Sequence, residues 1–155
     1  MGSDSAGKPF DVEQFLPFRM QRLSALLTAD FFAEGGQRGG LGWTEWYVLS
    51  ALARSSHQTA TDIAARSGLG KTAISRAVAS LEDSGYVSRQ RDGEDRRVER
   101  LAISAEGIET QKRLGQMAEA YATRLLSICG ADDVAGMQRL LGIIEENLIA
   151  SRLQG

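Results

Sequence analysis

The feature that most constrains this chain is a change of period near its middle. Thr59 and Asp62 form a capping-box pattern that opens a short helix running to about Ser67. Gly68 and Gly70 bracket a tight turn, and a second helix is predicted from Lys71 to Ser84, with Ile74, Ala77, Val78 and Leu81 as its buried stripe. Gly85 stands where a C-terminal glycine stop belongs. Helical spacing then gives way to a β-hairpin: Val87–Arg91, a polar turn at Asp92–Asp95, and Val98–Ile103, with Val87, Leu101 and Ile103 available to an apolar face.

Two short helices on a glycine-containing turn, followed by a two-stranded hairpin, is the winged helix-turn-helix order. The flanks are helical. Asp11 with Gln14 reads as a capping box ahead of a long helix from Val12 to about Glu34. Leu16, Met20, Leu23, Leu27 and Phe31 share one face of it, and Phe15, Phe18 and Leu26 widen the apolar arc. Five glycines between Glu34 and Gly42 require a loop. Thr44 is predicted to cap a helix through Arg54, with Trp46, Tyr47, Leu49 and Leu52 as candidate core. Past the hairpin, Ser104 marks a helix carrying Leu114, Met117, Tyr121, Leu125 and Leu126, which Gly130 breaks. Asp132 then caps a last helix with Met137, Leu140, Leu141, Ile144 and Leu148. The expected fold is therefore mainly α with a small β-wing, a winged helix-turn-helix with long N- and C-terminal dimerisation helices. We expect one domain over 1–155, a DNA-binding part at 44–107, and dimerisation helices at 12–34 and 105–153. These outer helices bring more apolar surface than a small winged domain can cover, which points to a symmetric homodimer presenting two reading helices to a palindrome.

A net charge of −2 does not announce a nucleic-acid binder. Placement matters more than the total, since a local basic patch suffices to meet phosphates. Five of the arginines fall between Arg89 and Arg100, among four acids. On the helix from Lys71, the face opposite the apolar stripe carries Thr72, Ser75, Arg76, Ala79 and Asp83. Hydroxyls, an arginine and a small alanine are what a major groove accepts. Lys71, at the N-terminal turn, is placed to meet a phosphate. Arg96 and Arg97 fall at or near the wing tip, where a guanidinium can enter the minor groove, and Asp95 can orient one of them.

These runs carry a resemblance. Thr59-Ala-Thr-Asp-Ile-Ala-Ala-Arg-Ser-Gly-Leu, Thr72-Ala-Ile-Ser-Arg76, Leu81-Glu-Asp-Ser-Gly85, Val87-Ser-Arg89, Asp95-Arg-Arg97 and Leu101-Ala-Ile-Ser104-Ala-Glu-Gly107 resemble the MarR (multiple antibiotic resistance regulator) family signature in order and spacing. Trp43-Thr-Glu-Trp46-Tyr-Val-Leu resembles that family's second helix. The resemblance spans about residues 12–150 and is sharpest at 44–107. It implies a cytoplasmic repressor whose operator binding is relieved by a small aromatic or phenolic acid, with Ser75 and Arg76 on the recognition helix. It also makes Arg97 the wing arginine and Asp95 its orienting partner.

Other chemistries fare poorly. Gly70-Lys71-Thr72 ends like a phosphate-binding loop, but Ala65 stands where that loop needs glycine, and the preceding segment reads as helix. His57 is the sole histidine and falls in a polar loop, which argues against a Ser-His-Asp enzyme. One cysteine, Cys129, excludes an intrachain disulfide and a cysteine-rich metal site, and reads as a small packed or inert thiol. No cofactor or metal is expected, nor a membrane span, since no run of about 18 apolar residues occurs. The N-terminal residues are small and polar, unlike a secretory signal. Arg19 and Arg22 fall inside the apolar arc of the first helix. Two readings stand: an ion pair with Glu119, Glu145 or Glu146, or a bidentate seat for a ligand carboxylate whose aromatic body lies against Phe15 and Trp46.

Overall fold

In the computed structural model, residues 10–33, 41–91 and 98–153 are described. A 3₁₀ turn at Val12–Gln14 precedes α1 (Leu16–Phe31), and α2 (Trp43–Arg54), α3 (Ala60–Ser67) and α4 (Lys71–Asp83) follow. Strands β1 (Val87–Arg91) and β2 (Glu99–Ile103) form the wing, and α5 (Ala105–Cys129) and α6 (Ala131–Leu153) complete the chain. The expected class, mainly helical with a small antiparallel wing, is the one observed.

Several boundaries differ from expectation. The first helix does not run from Val12. Asp11 Oδ1 accepts from the Glu13 amide at 3.0 Å, but it caps only the 3₁₀ turn, and Phe15 is extended at φ −68°, ψ 122°. Pro17 explains the break: it lacks the amide that would donate to Glu13, and its ring would press on that carbonyl. The glycine-rich connection at 34–40 lies outside the described residues. Gly42, not Thr44, is the N-cap of α2, and Thr44 lies in its first turn. Asp132 likewise falls inside the first turn of α6 rather than capping it.

The middle of the chain folds as its pattern dictates. Thr59 Oγ1 accepts from the Asp62 amide at 3.1 Å, and Asp62 Oδ2 accepts from the Thr59 amide at 3.0 Å, so both orphan donors are met. Gly85, at φ 74°, ends α4: its amide donates to Glu82 O and the Tyr86 amide donates to Leu81 O, each at 2.9 Å. That is a Schellman closure, and it turns the chain directly into β1. Val87 pairs with Ile103 and Arg89 with Leu101.

The core lies inside the winged part. Val48, Leu49, Leu52, Ile63, Ile74, Val78, Leu81 and Leu101 are essentially inaccessible, and Leu114 of α5 joins them. The full predicted stripe of α4 is buried. Gln58 binds this unit together. Its Nε2 donates to Ala51 O at 2.8 Å and Ser55 O at 2.7 Å, while its own carbonyl accepts from the Leu101 amide at 2.9 Å. One residue thus satisfies carbonyls at the end of α2 and ties them to β2. The outer helices are different. Phe31 is the one fully buried side chain of α1, and none of the described side chains of α6 is buried. Leu26, Leu140, Leu148 and Ile149 are all more than half exposed.

Candidate functional site

Helix α4 is exposed along the side opposite its core stripe. Lys71, Thr72, Ser75, Arg76, Ala79 and Asp83 are all exposed, so the structure brings the predicted reading face together on one helix. Gly70 caps the helix without a side-chain acceptor, which leaves first-turn amides of α4 open to an external anion beside Lys71. Asp95, Arg96 and Arg97 lie outside the described residues.

The wing base is held to α4 by a side chain that sequence reading passed over. Arg89 of β1 donates through Nε to Glu82 Oε1 and Oε2 at 3.0 and 2.9 Å, and through Nη1 to Glu99 Oε2 at 2.9 Å. These two carboxylates hold the guanidinium pKa above its ordinary range, Glu82 contributing most. One arginine therefore joins the last turn of α4 to both strands. The Val87-Ser-Arg89 run was visible, but the partners of Arg89 are seven and ten residues away, Glu82 brought near by the Gly85 turn and Glu99 by the pairing of the hairpin strands. At the opposite edge, Arg100 Nη1 donates to the His57 carbonyl at 3.0 Å. His57 is exposed, as expected of a solvated loop residue, and sits at φ 65°.

A second site opens between the winged part and the outer helices. A cavity of about 340 Å³ is lined by Met20, Ser24, Leu27, Thr28 and Phe31 of α1, Trp43 and Trp46 of α2, Ala118 and Tyr121 of α5, and Leu141 of α6. Phe31 and Trp46 stack with centroids 5.4 Å apart and planes inclined by 16°. Tyr121 meets Phe31 edge-on at 5.4 Å. The Tyr121 hydroxyl donates to Leu27 O at 3.2 Å and Asp30 Oδ2 at 3.0 Å, and Arg124 Nη2 reaches the same oxygen at 2.7 Å. The hydrogen bonds from Arg124 first, and Tyr121 second, hold the Asp30 carboxyl below its ordinary range.

Of the four residues expected at a ligand site, only Trp46 lines this cavity. Arg19 and Arg22 line a separate groove of about 300 Å³ with Glu13, Gln14, Leu23 and Leu26. Neither forms an ion pair among the described residues, with Glu119, Glu145, Glu146 or any other acid. Phe15 is exposed and packs edge-on against Phe10 at 5.6 Å. The Pro17 break puts Phe15 ahead of α1, while Arg19 and Arg22 lie within α1 on a side that no other described element covers. Trp43 is about half exposed, and Cys129 is exposed rather than packed. Sequence reasoning missed Ser24 and Thr28; their signal is a pair of hydroxyls spaced i, i+4 within an apolar arc.

Residues 39–98 match the family model described as MarR family. About nine-tenths of the chain superposes on solved structures at low identity. The transcriptional repressor CouR, bound to a 23-mer DNA duplex, gives a TM-score of 0.77 at 23% identity, over 90% of this chain and 98% of that one. The PcaV transcriptional regulator from Streptomyces coelicolor, in complex with its natural ligand, gives 0.73 at 20% identity, over 90% and 98%. Bordetella bronchiseptica BpsR, whose DNA binding is regulated by 6-hydroxynicotinic acid, gives 0.80 at 14% identity, over 89% and 98%. No curated protein sequence matches the chain.

Proposed function

With residues 39–98 matching the MarR family model and about nine-tenths of the chain folded as solved regulators are, we propose that this protein is a DNA-binding transcription regulator. In this reading it acts as a ligand-responsive repressor, binding a palindromic operator as a homodimer, without enzymatic activity. The observation that carries the reading is α4. Its buried stripe fixes the helix on the core, while Thr72, Ser75 and Arg76 face outward and the uncapped turn at Gly70 and Lys71 adjoins them. Arg76 is assigned to a base edge, the hydroxyls to bases or phosphates, and Lys71 to a phosphate. Arg96 and Arg97 of the wing, oriented by Asp95, are assigned to the minor groove.

Homodimerisation is supported by the apolar side chains that α1 and α6 leave uncovered, of which Leu140 and Ile149 are each 61% exposed. Residues 44–107 would then form the DNA-binding part, and 12–34 with 105–153 the pairing part. The cavity at Phe31 and Trp46 is the seat assigned to an aromatic effector. It opens on α2, whose inner face (Val48, Leu49, Leu52) packs in the same core as Ile74 and Val78 of α4. An effector there shifts operator affinity only if it binds the released arrangement more tightly.

A gel-shift series on the DNA upstream of the chain's own coding sequence tests the reading. Arg97→Ala is expected to weaken binding to all sequences and to lower the salt dependence. Arg76→Ala is expected to cost about 1–3 kcal/mol at particular bases. Salt-insensitive binding, or binding that neither substitution changes, would overturn it.

A further inference from the structure

We propose, resting on the effector reading above, that the molecule this cavity takes is an uncharged aromatic compound bearing a hydrogen-bond-accepting oxygen, such as an aryl ketone, ester or amide, and not a carboxylate. Its walls are apolar and rich in aromatic rings: Phe31 stacks on Trp46 and meets the Tyr121 ring edge-on, and Met20, Leu27 and Leu141 complete the lining. An aromatic ring fits such a slot by offset or edge contact. The polar groups of the described lining are the hydroxyls of Ser24, Thr28 and Tyr121 and the indole N–H groups of Trp43 and Trp46. The buried Trp46 Nε1 has no hydrogen-bond partner among the described residues, which makes it a further donor. Ser24 and Thr28, one turn apart on α1, both line the cavity, and neither hydroxyl has a hydrogen-bond partner among the described residues. Two donors on one side of an apolar slot match one acceptor oxygen.

The Tyr121 hydroxyl of the lining already serves an anion. The Asp30 carboxylate accepts from the Tyr121 hydroxyl, and Arg124 keeps it ionised. A second carboxylate brought against Tyr121 would lose its hydration and meet this charge, with Arg124 already bound to Asp30. The arginines that could receive a carboxylate, Arg19 and Arg22, line a different groove. A neutral acceptor avoids both costs and uses the hydroxyls that are present.

Calorimetry on the full chain with acetophenone, benzoate and toluene tests the proposal, with operator binding measured on the same preparation in the absence of any ligand. Acetophenone is expected to bind at least about tenfold more tightly than benzoate. The Ser24→Ala/Thr28→Val double substitution is expected to remove most of the advantage of acetophenone over toluene while leaving toluene binding unchanged. Ser24→Lys, which brings an ammonium to the cavity, is expected to shift preference toward benzoate. Benzoate binding as tightly as acetophenone overturns the proposal, as does benzoate binding that is lost in Arg19→Ala or Arg22→Ala. So does failure of acetophenone to bind at millimolar concentration. Loss of operator binding with the ligand preference intact would instead count against the DNA reading alone.

Discussion

Arg89 and Glu82 are joined side on, the guanidinium Nε lying 3.0 and 2.9 Å from the two carboxylate oxygens, so that β1 is fastened to the last turn of α4. The wing does not hang from the Gly85 turn alone. Its angle to α4 is fixed by a side chain on its exposed face, with Glu99 as the second anchor.

Arg89→Ala is therefore expected to separate stability from DNA binding. The pair is partly solvated, with side chains 39% and 27% exposed, so its loss should cost no more than about 1 kcal/mol of folding free energy. Operator affinity should fall by about tenfold, because the wing would sample angles that miss the minor groove. Urea denaturation and gel shift on one preparation read both quantities. Unchanged operator affinity would mean that the wing is held by something other than this clamp.

Gly107→Ala should be much more damaging than a glycine-to-alanine change in a helix usually is. A Cβ there would run into the Tyr86 carbonyl and stand 2.9 Å from Ile103 Cγ1. Neither the backbone oxygen nor the packed wing residue can move aside without opening the seam between α5 and the hairpin. Overpacking outweighs the gain in helix propensity, and a net loss of about 2 kcal/mol is expected from the denaturation midpoint. A stabilised variant would show that α5 sits further from the wing.

Asp30 gives an acid-dependent contribution whose sign is fixed. Its carboxyl titrates lower in the folded chain than in the unfolded one, through hydrogen bonds from Arg124 and then Tyr121. The stability it adds is present above the unfolded value of about 4 and is lost as pH falls through the lower, folded value. Wild type should therefore exceed Asp30→Asn in stability at pH 7, and the gap should close in acid. A gap that stays constant down to pH 2 would remove Asp30 from the tie between α1 and α5.

Leu140→Glu distinguishes a lone chain from a pair. Leu140 is 61% exposed on α6, so in a monomer the substitution should change stability by no more than about 0.5 kcal/mol. If α6 is a pairing surface, light scattering should show the mass halved and the melting temperature should drop. An unchanged mass at micromolar concentration with an unchanged melting temperature would argue against pairing through this face.

The part of the molecule legible in the sequence is the part whose signals are local. Thr59 and Asp62 announce a cap three residues apart, Gly85 a left-handed stop, and the Ile74–Leu81 spacing a buried stripe, and each interaction closes within a turn or two. The exposed face of α4 follows from that stripe by simple opposition. The α1 start was misjudged because Asp11–Gln14 satisfies a capping pattern while Pro17, six residues on, forbids the helix that pattern would begin. Ser24, Thr28 and Tyr121 were invisible as a site because the cavity is assembled from four helices, with Asp30 and Arg124 meeting across 94 residues. Arg19 and Arg22 attracted attention as charges in an apolar arc, yet an arc on a wheel does not say which neighbour, if any, covers it.

The bond from the Leu101 amide to the Gln58 carbonyl has a consequence for solubility. A two-stranded hairpin standing out from a helical body has two open edges, each able to recruit a strand from another molecule. On β2 part of that edge is already occupied by the chain at Gln58, with Arg100 alongside bonded to His57. On β1 the edge is lined by Ser88, Arg89, Gln90 and Arg91, all exposed, two of them cationic. Edge-to-edge stacking of wings would have to break the first arrangement or, in the second, disturb the Arg89 pairs and crowd Arg91. The hairpin is thereby protected from polymerising although its outer edges are not covered by another strand.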